Sequence, residues 1–199
     1  MKFVLASHNR GKLQEMQAIL SHLGVEVVLQ SDLGLNLEPE ENGTTFMENA
    51  AIKAKAVAQA SGLPAIADDS GLCVDWLNGA PGIYSARYAG EHGDDKANNR
   101  KLLRDLEGVE DRRAHFACAM VLVRPDGSVV RAEGRMDGVI AFAEAGSNGF
   151  GYDPLFYLPQ RGCTNAQLSP EEKNAISHRA KALHALVEQL RKNDGSPEK

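Results

Sequence analysis

The chain has few cysteines, few aromatic residues, no surplus of basic charge and no long apolar run. Only Cys73, Cys118 and Cys163 occur in its 199 residues. They are widely spaced and odd in number, and no CxxC pair exists, which excludes a zinc ribbon or a dithiol redox motif. Such thiols fit a reducing compartment, as small buried or idle side chains. Lys and Arg total 22 against 27 Asp and Glu, a net charge of −5. That balance argues against a broad nucleic-acid or anionic-membrane surface, because both select basic faces. It leaves room for one small anion in one basic pocket. No stretch approaches the roughly 18 apolar residues of a membrane span. The opening MKFVLASHNR turns polar too early for a signal-peptide core, so a cytoplasmic location is expected. Neither GxGxxG nor GxxxxGK[ST] occurs, so the dinucleotide fingerprint and the P-loop are both excluded. No period of about 20–50 residues repeats, which excludes solenoids and propellers.

What remains is the composition of a soluble globular protein, 43% hydrophobic and 25% charged. A chain of this length buries roughly 70% of the surface its unfolded form exposes, so it needs no staple. The expected organisation is a single domain of two lobes over 1–192, with a disordered tail, 193–199 (NDGSPEK). Residues 3–6 (FVLA) read as a buried strand. A helix pattern follows from Gly11, with Leu13, Met16, Ile19, Leu20 and Leu23 on one face and Gly24 closing it. Residues 25–29 (VEVVL) read as a second strand, giving a βαβ opening.

After an acidic loop, Asn36–Gly43, Thr45 and Glu48 form a capping box and an alanine-rich helix runs to Ser61. Gly62 and Pro64 stop it. Residues 64–67 (PAIA) read as a strand ending at Asp68-Asp69-Ser70-Gly71. A polar helix is expected near Asp94–Leu106. Two β-rich segments, 114–123 and 128–135, flank the turn Pro125-Asp126-Gly127. A glycine cluster, Gly146–Pro154, precedes a last helix that starts at Ser169, with Pro170 at its first position and Glu172 completing a capping box. Its stripe is Ile176, Ala180, Leu183, Leu186, Val187 and Leu190. The fold class is α/β with a mixed sheet, because the hairpin is antiparallel.

Five segments carry candidate chemistry, each with a plainer alternative. Ser7-His8-Asn9-Arg10-Gly11-Lys12 lies between strand and helix and can offer backbone amides and a cation to phosphate; it is equally an ordinary βα loop with a cap. Adjacent carboxylates at Asp68-Asp69 oppose each other's ionisation unless a cation such as Mg²⁺ sits there; the alternative is a solvated acidic turn. Glu38, Glu40 and Glu41 are a solvated loop unless the fold brings them beside Asp69. Gly149-Phe150-Gly151-Tyr152-Asp153-Pro154 can bend to stack a base, or can simply anchor a loop. Lys173, Ser177, His178 and Arg179 open the last helix, where roughly 100° per residue does not make them converge. His22, His92, His115 and His184 lack ligand-like spacing and read as structural or surface residues.

Taken in order, SHNRGK, TFMENA, ADDSGL, PGIYSARYAG, GFGYDP and SPEEKNAISHR resemble one family over almost the whole chain. They are similar to the inosine triphosphate pyrophosphatases, the Ham1-like non-canonical purine nucleoside triphosphatases. The resemblance implies an elongated mixed sheet with helices in two lobes around a deep cleft, and a homodimer. It implies Mg²⁺-dependent cleavage of ITP, dITP and XTP between the α and β phosphates, releasing monophosphate and pyrophosphate. By position, Ser7–Lys12 hold the triphosphate, with Lys53 assisting. Glu40 and Asp69 hold the metal, with Glu41 and Asp68 close by, and Asp69 accepts the proton. Ser70, Phe150, Gly151, Tyr152, Asp153, Lys173, His178 and Arg179 contact the nucleotide, with Arg179 expected to face the 6-position of the base. One departure stands out: the family commonly has Thr and then a small residue where this chain has Ser7-His8. A non-catalytic nucleotide sensor and a Maf-like pyrophosphatase of other nucleotides are the competing readings.

Overall fold

The computed structural model describes residues 2–21 and 24–193. His22, Leu23 of the expected helix stripe, and 194–199 of the expected tail lie outside them. The chain divides into two compact units, which it threads between repeatedly. The first comprises Met1–Asp69, Cys118–Gly134 and His178–Lys199, the second Ser70–Ala117 and Arg135–Ser177.

The first unit opens with the expected βαβ arrangement. Strand β1 (Lys2–Leu5) lies parallel to β2 (Glu26–Leu29), with Phe3 opposite Val27, and α1 (Arg10–Leu20) connects them. On its other side β1 runs parallel to β3 (Ala65–Val74), with Val4 opposite Ala65. Helix α2 (Phe46–Ser61) precedes β3. Thr45 Oγ1 accepts from Glu48 N at 3.1 Å. The Glu48 carboxylate reaches one residue further back than expected, accepting from the Thr44 amide at 2.6 Å and from its hydroxyl at 2.9 Å. Gly62 ends the helix at φ +65°, a conformation that glycine adopts without a Cβ penalty.

Side-chain alternation sorts this unit into layers. Phe3, Leu5, Ile66, Met120 and Leu122 pack with Met16 and Leu20 of α1 and with Leu183, Leu186 and Leu190 of α5 (His178–Asn193). Val4, Ala6, Ala65, Ala67, Val121 and Val123 pack on the other face against Ala50, Ala54, Val57 and Ala58 of α2. Both faces are covered, which is why these strands read as continuous apolar runs rather than alternating ones.

Strands β4 (Arg113–Val123) and β5 (Val129–Ile140) form the expected hairpin, closed by Gly127 N donating to Arg124 O at 2.9 Å. The strand β5 runs five residues beyond the expected end at 135. In the second unit, β6 (Phe156–Leu158) and β7 (Cys163–Thr164) extend the sheet antiparallel, two strands that the sequence reading missed. The sheet is mixed and seven-stranded, in the order β2-β1-β3-β4-β5-β6-β7. This unit's core joins Leu72, Leu102 and Leu106 of α3 (Asp95–Asp105 and its cap), Phe116, Ile140 and Phe156. The Phe116 and Phe156 rings lie 4.5 Å apart between centroids, a tilted aromatic pair.

Two expectations are corrected. Strand β3 does not stop at Asp68 but passes through Asp68 and Asp69 to Val74. The last helix is two helices: α4 (Pro170–Ile176), with the expected Ser169–Glu172 capping box, and α5. Ser177, at ψ 154°, is extended between them. Serine is a residue type that favours the position ahead of a helix, which makes the break intelligible without Gly or Pro.

Candidate active site

The site in the first unit follows from the pleat of β3. Ala65 and Ala67 face α2, and Ile66 faces α1 and α5. Continuing that alternation, Asp68 turns toward α1 and α5 and Asp69 toward α2. The two carboxylates therefore do not share one pocket. Each meets its own cations.

The Asp68 side chain is fully buried, with Lys12 Nζ of α1 at 3.0 Å from Oδ1 and Arg179 Nε of α5 at 3.1 Å from Oδ2. Glu15 of α1 also binds the Arg179 guanidinium. Burial opposes the charge on Asp68, but Lys12, Arg179 and Lys53 outweigh it and hold the carboxyl well below the usual carboxylate range. Burial likewise opposes the Arg179 charge, and Asp68 and Glu15 outweigh it. An Asp68 without its cations would strand a charge in the core, at about 3–5 kcal/mol.

Asp69 is poised differently. Lys53 Nζ of α2 stands 3.6 Å from its Oδ1 and 3.0 Å from Glu41 Oε2. Asn49, 2% exposed, hydrogen-bonds the carboxylate, and its Oδ1 accepts from Gly43 N at 2.9 Å. Asp69 Oδ2 is buried with no hydrogen-bond partner. Burial pushes the Asp69 pKa up, Glu41 adds to that, and Lys53, Asn49 and Lys12 only partly oppose it. The pKa of Lys53 is raised: burial pulls it down, but Asp69, Asp68 and Glu41 outweigh burial.

Segment 7–12 forms the β1–α1 turn and the first turn of α1. Ser7 Oγ accepts from Asn9 N at 3.0 Å, and Asn9 Oδ1 caps the helix by accepting from Lys12 N at 3.1 Å. His8, Asn9 and Arg10 are exposed, Gly11 is half-buried, and Lys12 points at Asp68. Glu38, Glu40 and Glu41 lie on the exposed loop before α2, and it is Glu41 whose carboxylate meets Lys53. No group of three or more potential metal ligands occurs among the described residues.

The second unit holds the remaining expected residues. Ser70 is half-buried on β3. Asp153 is 3% exposed; its Oδ2 accepts from Lys173 Nζ of α4 at 2.8 Å and from Phe150 N at 3.0 Å, and its Oδ1 accepts from Asn165 Nδ2 at 2.8 Å. Lys173 Nζ also sits 4.7 Å from the centroid of the Phe150 ring, which is 41% exposed. Gly149, at φ +76°, has no room for a Cβ beside the Asp153 carboxylate. Gly151 N donates to Asp95 Oδ2 at 2.7 Å, and the buried Tyr152 hydroxyl donates to Ser85 O at 2.7 Å. Tyr152 and Asp153 therefore build this loop, while Phe150 is its exposed ring.

His178 is buried at the start of α5. Arg179, expected to face a base, is 2% exposed and bound between Asp68 and Glu15; what this arrangement carries is its hold on Asp68. The sequence reading missed Glu15, Asn49, Gln30 and Asn165. Glu15 and Asn49 each fall within or beside quoted motifs, yet nothing in their spacing marks them. Gln30 and Asn165 are polar residues at 2% and 0% exposure, visible only once folded.

The model of the Ham1 family matches residues 3–189. A protein of Haemophilus influenzae named dITP/XTP pyrophosphatase is 55% identical, covering 95% of this chain and 98% of its own. One of Photorhabdus laumondii with the same name is 50% identical, covering 96% and 98%. Among solved structures, the Staphylococcus aureus Ham1 protein has a TM-score of 0.88 at 46% identity, covering 97% of this chain and 100% of its own. A HAM1 protein from Coxiella burnetii has 0.87 at 44%, covering 96% and 99%.

Proposed function

The chain belongs to the Ham1 family, and we propose that it hydrolyses dITP, XTP and ITP to the monophosphate and pyrophosphate, clearing non-canonical purines from the nucleotide pool with Mg²⁺ as cofactor. The names of the relatives support the reaction class and the first two substrates. ITP comes from the motif resemblance. The observation that carries the reading within the chain is Asp69, a half-buried carboxylate whose buried Oδ2 has no hydrogen-bond partner and whose Oδ1 lies 3.6 Å from Lys53 Nζ.

That oxygen fits a hard cation, which prefers carboxylate ligands. Asp69 would hold Mg²⁺, with Glu40 or Glu41 contributing from the loop before α2. When bound, the ion supplies charge neutralisation and a lowered pKa for coordinated water. The side chains do the rest. Asp69 orients a water and takes its proton, and burial makes it a stronger base than an ordinary aspartate with a pKa near 3.9. Lys53 and Lys12 stabilise charge on the departing pyrophosphate, as positioned cations do in a site shielded from water. Asn9 fixes the β1–α1 turn that presents Lys12.

A homodimer in the cytoplasm belongs to the same reading. Among the described residues no helix is long and apolar enough to cross a membrane, and Trp76 and Phe142 of the second unit expose apolar surface.

The test is pyrophosphate release from dITP, XTP, ITP, ATP and GTP, with Mg²⁺ and with chelator. Release from the first three in Mg²⁺ alone, with ATP and GTP poor, is expected. The variant Asp69→Asn should lose about 10²–10⁴-fold in kcat, the scale of general base catalysis, while its thermal midpoint holds or rises because a buried charge is removed. Near-normal turnover in that variant rules out the role given to Asp69.

A further inference from the structure

Gln30, at 2% exposure, is the first residue of the 3-10 turn Gln30–Leu33 after β2. Its side chain pairs with the backbone of Leu37 at both ends of the amide: Nε2 donates to Leu37 O at 3.1 Å, and Oε1 accepts from Leu37 N at 3.2 Å. Reversing the amide would set donor against donor and acceptor against acceptor, so its orientation is fixed. Nε2 also lies 3.2 Å from His8 Nε2. An amide nitrogen has no lone pair to offer, so the imidazole must accept there. His8 Nε2 is therefore bare, and the neutral ring carries its proton on Nδ1.

We propose that Gln30 is a positioning residue that locks His8 in the Nδ1–H tautomer and ties the β1–α1 turn to the segment leading into Glu38, Glu40 and Glu41. One buried amide then holds together the segment that carries Lys12 and the loop that carries Glu41, from outside the reacting groups. The exposed imidazole of His8 presents an Nδ1–H donor beside the turn proposed to receive phosphate. The activity readout below rests on the proposed function; the spectroscopic readout does not.

The test uses Gln30→Glu, which keeps the shape but cannot donate, with His8→Leu, the double variant and His8→Gln, whose side-chain oxygen lies near the position of Nε2. Nitrogen–proton correlation spectra at about pH 8.5, where free imidazole is neutral, should show His8 as Nδ1–H in the parent and a shift toward Nε2–H in Gln30→Glu. Each single variant should raise KM for XTP by about 5- to 10-fold, the scale of one hydrogen bond, with kcat little changed. The double variant should be no worse than the poorer single one, and His8→Gln should recover most of what His8→Leu loses. A parent ring in the Nε2–H form, fully multiplicative losses, or a His8→Gln as poor as His8→Leu would each overturn the proposal. If no variant and no parent releases pyrophosphate from XTP, the proposed function fails, and the tautomer spectra still decide this inference.

Discussion

In the first unit, Asp68 is met by two cations brought from separate helices, Lys12 of α1 and Arg179 of α5. In the second, Asp153 meets one, Lys173 of α4, and draws its other bonds from Phe150 N and Asn165 near it in sequence. Both aspartates are almost fully buried. The difference is what the charge does for its surroundings. Asp153 closes a loop, and every donor it uses lies within 20 residues of it along the chain. Asp68 clamps three segments of the first unit, with 111 residues separating it from Arg179. Beside it, on the opposite face of the same strand, Asp69 keeps a free oxygen. The first unit thus sets a carboxylate with a cation on each oxygen next to one with a cation near only one oxygen, and the pleat keeps the two roles apart.

The largest expected effect breaks that clamp. Asp68→Asn strands Lys12 and Arg179 in a buried setting and should cost about 5 kcal/mol, the upper part of the range for splitting a buried pair. At roughly 2–4 °C per kcal/mol for a chain of this size, the thermal midpoint falls by about 10–20 °C. Asp69→Asn, one residue along, should hold its midpoint. Equal losses in the two variants would mean that the pleat does not separate their roles.

Next comes Lys173→Met in the second unit. Asp153 would keep its bonds from Asn165 and Phe150, so the expected loss is about 3 kcal/mol, read by urea unfolding. A loss greater than that of Asp68→Asn would reverse the ranking of the two clusters.

Much of this fold was legible in the sequence. The βαβ opening, the Thr45–Gly62 helix, the hairpin at Pro125–Gly127 and the cap at Ser169–Glu172 all depend on neighbours a few residues apart. What escaped depends on distant partners. Two consecutive aspartates read as the end of a strand, because the cations that let β3 continue come from α1, α2 and α5. The pair β6–β7 is short and has no repeated alternation to mark it. Ile176 was placed on one stripe with Leu183, yet it packs in the core of the second unit and Leu183 in that of the first. A helical wheel drawn through Ser177 could not show that change. Within the site, residue types were legible and their pairings were not: Lys12, Lys53 and Asp69 stood out, whereas Glu15 and Asn49 needed the fold.

A middle-sized effect tests how closely the first unit is packed. At Gly134 of β5 a Cβ would run into the His178 carbonyl and the Ala182 amide at the start of α5. Backbone cannot give way as a flexible side chain does, so Gly134→Ala should cost about 1–3 kcal/mol in urea unfolding. It should also lower activity more than that stability loss implies, because α5 carries Arg179 and so Asp68. Unchanged stability would mean that α5 shifts freely and the Asp68 clamp is looser than its distances indicate.

The smallest effect concerns a thiol in the layer that Asp68 faces. Cys118 of β4 packs in the layer that faces α1 and α5, at 1% exposure. Burial pushes its pKa up to about 12, Asp68 adds to that, and Arg179 and Lys12 oppose it. A raised thiol pKa leaves the neutral form dominant well above pH 8, and the thiolate is the form that reacts. Cys73 and Cys163, both in the second unit, are half-buried. Burial raises the Cys73 pKa too, so alkylation at about pH 8 should label Cys163 first and Cys73 more slowly in the folded protein, and reach Cys118 only on unfolding, as peptide mass mapping would show. In Asp68→Asn one neighbouring negative charge is gone and the clamp is open, so Cys118 should become reactive under conditions where the parent stays protected. If Cys118 reacts at the same rate in both, access to it is set by the apolar layer alone. The charge cluster would then contribute nothing to keeping that face of the sheet closed.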